Sequence, residues 1–256
     1  MHNKMTGLLG LLLLGTTWSA LAAPPGSGKD QQRALDVTLS AIVNDAAHPL
    51  ASLSVLAIRH GKVSYQQQFG DRYIGATPAD SLPVTPATLF RIASVSKMMT
   101  TLGLMRLVEQ GKLSLDQDVG IYLGFSLRNP YFPQQALTLR SLLSHTSSLR
   151  DAGGYAWGPE RSLRDVFTAG GDSMWDKQTA PGRYFTYANL NWGVIGTVME
   201  KVTGERLDLL MRRLLLDPLD VRGGYNPAAF STEDVANTAT LYRKRTLETE
   251  VWQPQG

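Results

Sequence analysis

The 256-residue sequence contains no cysteine. That absence excludes a disulfide framework, a thiolate metal site and a lipid-anchored N-terminal cysteine together. Histidine is scarce too, with only His2, His48, His60 and His145. No cluster of His, Asp and Glu has the spacing of a zinc site, so no metal or cofactor is expected. There is no G-x-S-x-G elbow, which a Ser-His-Asp hydrolase of the α/β type would need. Neither charge sign dominates: 25 basic residues face 22 acidic ones, and the basic ones are scattered. A nucleic-acid partner is therefore not expected. The chain has no internal repeat. Its 43% hydrophobic content supplies a core for one domain or two intimately packed lobes.

Long apolar runs are also missing. The longest, Gly7 to Gly15, is too short to cross a bilayer. With Lys4 before it and Ala20-Leu21-Ala22 after it, the run reads as a signal peptide over residues 1–22. Residues 23–29, with Pro24-Pro25-Gly26-Ser27-Gly28, read as a linker, and residues 30–256 as the folded domain. The mature protein is expected to be exported, periplasmic or secreted, without an integral membrane segment.

Asp30 to Ala47 has the apolar spacing of a helix. Ser52–Arg59 and Lys62–Phe69 alternate around His60-Gly61, which predicts a β-hairpin. Helices are predicted over Ser96–Gln110, closed by Gly111, and over Thr138–Ser144, Asn189–Val202 and Glu205–Leu216. The last is expected to stop at Asp217-Pro218. A hairpin followed mostly by helices is an α+β order: an antiparallel sheet with a helical region beside it. Two strands are few for a stable sheet.

Two short motifs carry chemistry. Ser94 and Lys97 stand three apart where a helix is expected to begin, on one face and one turn apart. A serine hydroxyl becomes a nucleophile when a neighbouring base takes its proton, and a lysine serves if burial or positive potential lowers its pKa. Ala93, Val95 and Met98 are expected to surround the pair with apolar atoms, and the Ser94 backbone N–H to help bind an oxyanion. Alone, such a tetrapeptide is weak, since about one match per chain of this length arises by chance. The second motif is Tyr187-Ala188-Asn189. In extended backbone the two polar side chains point the same way, and a tyrosine near an ammonium can shuttle protons. The plain alternative is a core tyrosine followed by an N-cap asparagine. His145, after the Thr138–Ser144 helix, reads as a structural residue bonding the last carbonyls.

Four segments occur in an order that resembles the serine β-lactamase and penicillin-binding-protein family. The similarity is to its branch of class C β-lactamases, DD-carboxypeptidases and related esterases. They are Thr88–Lys97, Gln110–Val119, Thr138–Leu149 (TLRSLLSHTSSL, with Ser148 where glycine is usual) and Pro181–Asn189. The resemblance spans about Ser52 to Leu219. It implies a β-lactamase/transpeptidase-like fold and a monomer without cofactors. It also implies acyl-enzyme chemistry on β-lactams, D-Ala-D-Ala peptides or small esters. Ser94 would be acylated and Lys97 would be its base or base partner. Tyr187 would relay protons, and Asn189 would hold Lys97 and the substrate amide. The family's third motif, His-x-Gly or Lys-x-Gly on a later strand, does not follow Asn189. The resemblance therefore implies a chain truncated at its C-terminus with strands missing. The alternative function is a non-catalytic fragment or a degenerate penicillin-recognising protein.

Overall fold

The computed structural model describes residues 28–244 and 252–255. The proposed signal peptide and most of the linker lie outside the described residues. Helix α1 occupies Gly28–Val43, so the last two residues assigned to the linker are helical. The chain divides into two units, one up to Gly70 and one from Asp71 onward.

The first unit holds α1 and a hairpin. Strands β1 (Ser52–Arg59) and β2 (Lys62–Tyr73) pair antiparallel from Ser52↔Gly70 to Arg59↔Lys62. The turn is where the alternation breaks, with His60 and Gly61 both at positive φ. Tyr65 is buried, and its hydroxyl donates to Asp36 of α1 at 2.6 Å. Burial, then the Asp36 carboxylate, pushes this phenol up to about 12.

In the second unit the end of β2 pairs with the short β3 (Leu82–Pro83). Helices follow: α2 (Ser96–Glu109), α3 (Val119–Leu123), α4 (Leu139–Leu143), α5 (Leu163–Gly170), α6 (Leu190–Thr203), α7 (Leu207–Met211) and α8 (Thr232–Ala236). Local chemistry sets several of their ends. Thr138 and Ser141 form a reciprocal capping box on α4. Asp118 and Ser162 cap α3 and α5 through their side chains. The helix expected to stop at Asp217-Pro218 instead passes from α7 through a π turn, Arg212–Leu216, and a 3-10 turn, Asp217–Leu219. Proline fits the first turn of that 3-10 segment because its missing N–H is unpaired there anyway. The chain reverses at Asp220, φ 51°.

Alternation predicts no strand in the run after Thr240. It holds β4 (Leu241–Lys244) and β5 (Trp252–Gln255), paired antiparallel. Short polar strands leave no hydrophobic alternation to read, so the signal was absent. Leu89 also bridges Thr238 in parallel.

The core of the second unit gathers on α6. Leu190, Val194, Ile195, Val198 and Met199 are fully buried, packed with Leu104 and Leu107 of α2, Leu139 and Leu142 of α4, and Leu210 and Met211. At about 25 cal/mol per Å² of apolar surface, each such side chain contributes roughly 1.5–3 kcal/mol. The two helices that carry the candidate site are thereby fixed to one core. Gly103 permits the approach of α2: a Cβ there would overlap the Sδ and Cε of Met211.

Candidate active site

Ser94 lies in a 3-10 turn, Ala93–Val95, immediately before α2, and Lys97 lies in the first turn of that helix. Ala93 sits at φ 43°. A non-glycine residue there costs about 1–3 kcal/mol and persists only when its surroundings impose it. The expected apolar enclosure is not formed. Ser94, Val95 and Met98 are exposed, because this side of α2 faces outward.

Tyr187 and Asn189 precede α6 and meet the pair from across the fold. Ser94 Oγ and the Tyr187 hydroxyl are hydrogen-bonded at 2.8 Å. Lys97 Nζ donates to Ser94 Oγ at 3.0 Å and to Asn189 Oδ1 at 2.8 Å. All four residues singled out in the sequence thus form one hydrogen-bonded constellation. The Lys97 ammonium also lies 5.1 Å from the Tyr187 ring centre and 5.5 Å from that of Trp192. The Tyr187 phenol is held below its ordinary value, first by its hydrogen bond with Lys97 and then by that with Ser94.

Asn189 occupies the N-cap position of α6 but does not cap it. The cap comes from Asp151, 38 residues earlier. Its Oδ2 accepts from the Asn189 backbone N–H at 2.8 Å and from Asn189 Nδ2 at 2.9 Å, and its Oδ1 accepts from the Leu190 N–H at 3.0 Å. A carboxylate at the positive end of a helix is favourable. Here it also fixes which way the Asn189 amide faces, with Nδ2 on Asp151 and Oδ1 left for Lys97. Sequence reasoning missed Asp151 because nothing local marks it; only the tertiary approach makes it a cap.

His145 departs from its expected role. Its backbone N–H bonds the Leu142 carbonyl as a helix end should, but its ring turns away from the helix. Nδ1 accepts from the Ala188 backbone N–H at 3.1 Å, and the ring stacks on Tyr187 with centres 4.4 Å apart. Burial, and then the Lys97 charge, hold the imidazole below its ordinary value.

Ser148 stands at φ 64°, a left-handed position that explains why glycine is usual there. The serine is held by Asn129 Nδ2, which donates to its Oγ at 3.0 Å.

The site is open. Tyr187 is 46% exposed, and Tyr184 and Phe185 beside it are more so. Two surface grooves of about 440 and 530 Å³ are lined by other residues, the larger by Phe125, Phe167 and Trp175 among them. Among the described residues no group of three His, Asp or Glu could hold a metal ion. No described helix is long and apolar enough to cross a membrane.

A family model described as Beta-lactamase matches residues 39–255. Among curated relatives, protein flp of Staphylococcus aureus (strain MRSA252) is 26% identical over 194 residues, covering 74% of this chain and 37% of that protein. Penicillin-binding protein 4* of Bacillus subtilis (strain 168) is 30% identical over 159 residues, covering 59% of this chain and 32% of that protein. The chain thus spans well under half the length of these relatives. Among solved structures, EstCE1, a hydrolase with promiscuous acyltransferase activity, superposes with a TM-score of 0.69 at 30% identity. It covers 89% of this chain and 60% of that one. The octameric penicillin-binding protein homologue from Pyrococcus abyssi gives 0.68 at 26% identity, covering 89% of this chain and 50% of that one. A class C β-lactamase gives 0.65 at 24% identity, covering 90% and 57%, and supports the β-lactamase/transpeptidase-like fold.

Proposed function

The chain belongs to the beta-lactamase family, and on that premise we propose that it is a serine hydrolase that forms an acyl-enzyme on Ser94. One observation carries the reading: Ser94 Oγ lies within hydrogen-bond distance of both Tyr187 and Lys97, with Asn189 holding Lys97 from behind. Lys97, donating to Ser94 and Asn189, acts as an ammonium that stabilises phenolate at Tyr187. Tyr187 takes the Ser94 proton as Oγ attacks the substrate carbonyl carbon. The tetrahedral intermediate collapses, the bond to the leaving group breaks, and the leaving group receives the proton from Tyr187. Water then attacks the acyl carbon while Tyr187 accepts its proton. The Ser94 oxygen leaves with that proton, and the free acid departs. General acid–base help of this kind contributes about 10²–10⁴-fold in rate.

The substrate class is a β-lactam, a D-Ala-D-Ala peptide or a small ester. All three present a carbonyl to the same nucleophile, and the exposed Tyr184 and Phe185 offer an apolar rim to any of them. Incubation with a chromogenic β-lactam, a D-Ala-D-Ala peptide and a p-nitrophenyl ester, followed by mass spectrometry, tests the proposal. The expected result is an adduct on Ser94 that Ser94→Ala abolishes. A chain that binds penicillin reversibly with no adduct would establish the alternative, a non-catalytic penicillin-recognising protein. Export to the periplasm or medium belongs to the same proposal and rests on the run Gly7 to Gly15 with Ala20-Leu21-Ala22; N-terminal sequencing of exported protein checks it. A monomer is likewise proposed, to be checked by light scattering against the octameric alternative.

A further inference from the structure

The segment Thr186 to Asn189 has to present two side chains to Ser94 and Lys97, yet it belongs to neither a helix nor a strand. What holds it is largely His145. The His145 carbonyl accepts from the Thr186 N–H at 2.8 Å. Two residues on, the Ala188 N–H donates to His145 Nδ1 at 3.1 Å. Between these two bonds the Tyr187 ring lies on the imidazole face, with centres 4.4 Å apart and planes inclined by 24°. Phe185 meets the same imidazole edge-on at 5.6 Å, and Trp192 lies 5.0 Å away.

A second set of bonds holds the imidazole. Asn191 Nδ2 lies 3.2 Å from His145 Nδ1. Asn191 Oδ1 accepts from Ser147 Oγ at 2.6 Å, and Ser147 Oγ accepts from the Leu149 N–H at 3.1 Å. Asn191 and Ser147 are both buried. The Ala188 N–H requires Nδ1 to be an acceptor, and so requires a neutral ring with its proton on Nε2; Asn191, as oriented, donates to the same nitrogen.

We propose that His145 is a positioning residue whose neutral imidazole holds Tyr187 and Asn189 on Ser94 and Lys97, and that protonation of its Nδ1 releases them. Protonated Nδ1 becomes a donor facing two donors. Asn191 can answer by turning its amide, since the Ser147 hydroxyl can give or take a hydrogen bond. The Ala188 N–H cannot turn, because it is backbone, and it loses its acceptor. The charged and titratable groups facing the imidazole are Lys97 from α2, Tyr187 from the loop before α6, and Asp151 from the loop after α4. Lys97 repels the added proton and Asp151 attracts it, while partial burial opposes it. The site would thus be assembled at neutral pH and disassembled in acid.

The proposal rests on the acyl-enzyme reading, and its test separates the two. His145→Asn keeps an acceptor near the place of Nδ1, tolerates the left-handed backbone of His145 (φ 56°) and cannot be protonated. His145→Ala removes the acceptor. Phosphonylation of Ser94 by a fluorophosphonate ester, in which Oγ bonds to phosphorus and fluoride leaves, should fall in acid for the native chain when read by mass spectrometry across pH 4.5–8. His145→Asn should keep its neutral-pH rate within about tenfold and move that acid limb, leaving only the limb that protonation of the Tyr187 phenolate imposes, whereas His145→Ala should lie about 10²-fold below the native neutral-pH rate, the loss expected when a reacting group is misplaced by about an ångström. In parallel, the Ala188 amide resonance of the native chain should titrate with the His145 ring, and should not titrate in His145→Asn. That resonance reports positioning even if Ser94 never acylates, an outcome that would defeat the acyl-enzyme reading alone. An Ala188 amide that ignores the His145 titration, or an acid limb unchanged in His145→Asn, would overturn the proposal.

Discussion

Helices α2 and α6 are each 14 residues long, and each delivers half of the site from the residues at or just before its N-terminus. They are held very differently. Helix α6 buries half of its residues: Leu190, Asn191, Val194, Ile195, Gly196, Val198 and Met199. Helix α2 buries Thr100, Gly103, Leu104 and Leu107 and turns Met98, Leu102 and Met105 outward, Met98 being 59% exposed. The half that bears Tyr187 and Asn189 is also tied from several sides, by Asp151, His145 and Asn191. The half that bears Ser94 is reached through a strained Ala93 and is tied mainly to the other half. The nucleophile is therefore positioned against a fixed frame supplied by α6, and the exposed side of α2 is free to meet solvent.

The comparison can be broken most severely at the frame. Asp151→Ala removes the acceptor of three N–H groups at the head of α6 and lets the Asn189 amide rotate. The expected loss is about 2 kcal/mol of stability from the missing cap and about 10²-fold in Ser94 acylation from misplacement of the reacting groups. Urea unfolding and adduct kinetics measure the two. A variant that acylates at the native rate would show that Lys97 needs no help from Asn189.

Next comes the contact between α2 and the core. Gly103→Val places a branched side chain against Met211, whose thioether has some freedom to move. Overpacking of this kind costs about 1–3 kcal/mol, read as a lower urea midpoint at unchanged slope. The loss should be smaller for Gly103→Ala.

A smaller effect is expected from acid. The folded-state pKa of His145 lies below its ordinary value of 6.5. Between those two values the unfolded chain binds more protons, so stability rises with pH there. The contribution is complete above the unfolded value and is lost as pH falls through the folded one. Asp116, Asp172 and Asp176, lowered by hydrogen bonds and neighbouring cations, act in the same sense at lower pH. Chemical denaturation at pH 5 and pH 7.5 should therefore show a loss in acid that is reduced in His145→Asn.

The smallest effect is expected on the outer face of α2. Met98→Gln or Leu102→Gln exchanges an exposed side chain and should change stability by no more than about 0.5 kcal/mol in thermal melts. A larger loss would show that this face is covered in solution.

Much of this fold is legible in the residues. The helix over Ser96–Gln110 and the hairpin around His60-Gly61 follow from periodicity and turn residues, and they form within a few residues of where those place them. The strands β4 and β5 were not legible, because polar strands carry no alternation. The same contrast runs through the site. Ser94, Lys97, Tyr187 and Asn189 announce themselves by residue type and short spacing. Asp151 and His145 do not, since a carboxylate becomes a cap and an imidazole becomes an acceptor only when another segment brings its N–H groups to them.

The sequence alone determined much of the local geometry: where α1, α2, α4 and α6 run, and that a hydroxyl and an amine share one end of α2. Those depend on side chains a few residues apart. The tertiary structure decided that Tyr187 meets Ser94 across 93 positions, that Asp151 heads α6, and that the nucleophile stands exposed instead of enclosed. Those depend on how α6 packs against α2, which is set by the shape of a shared core that no single stretch of chain encodes.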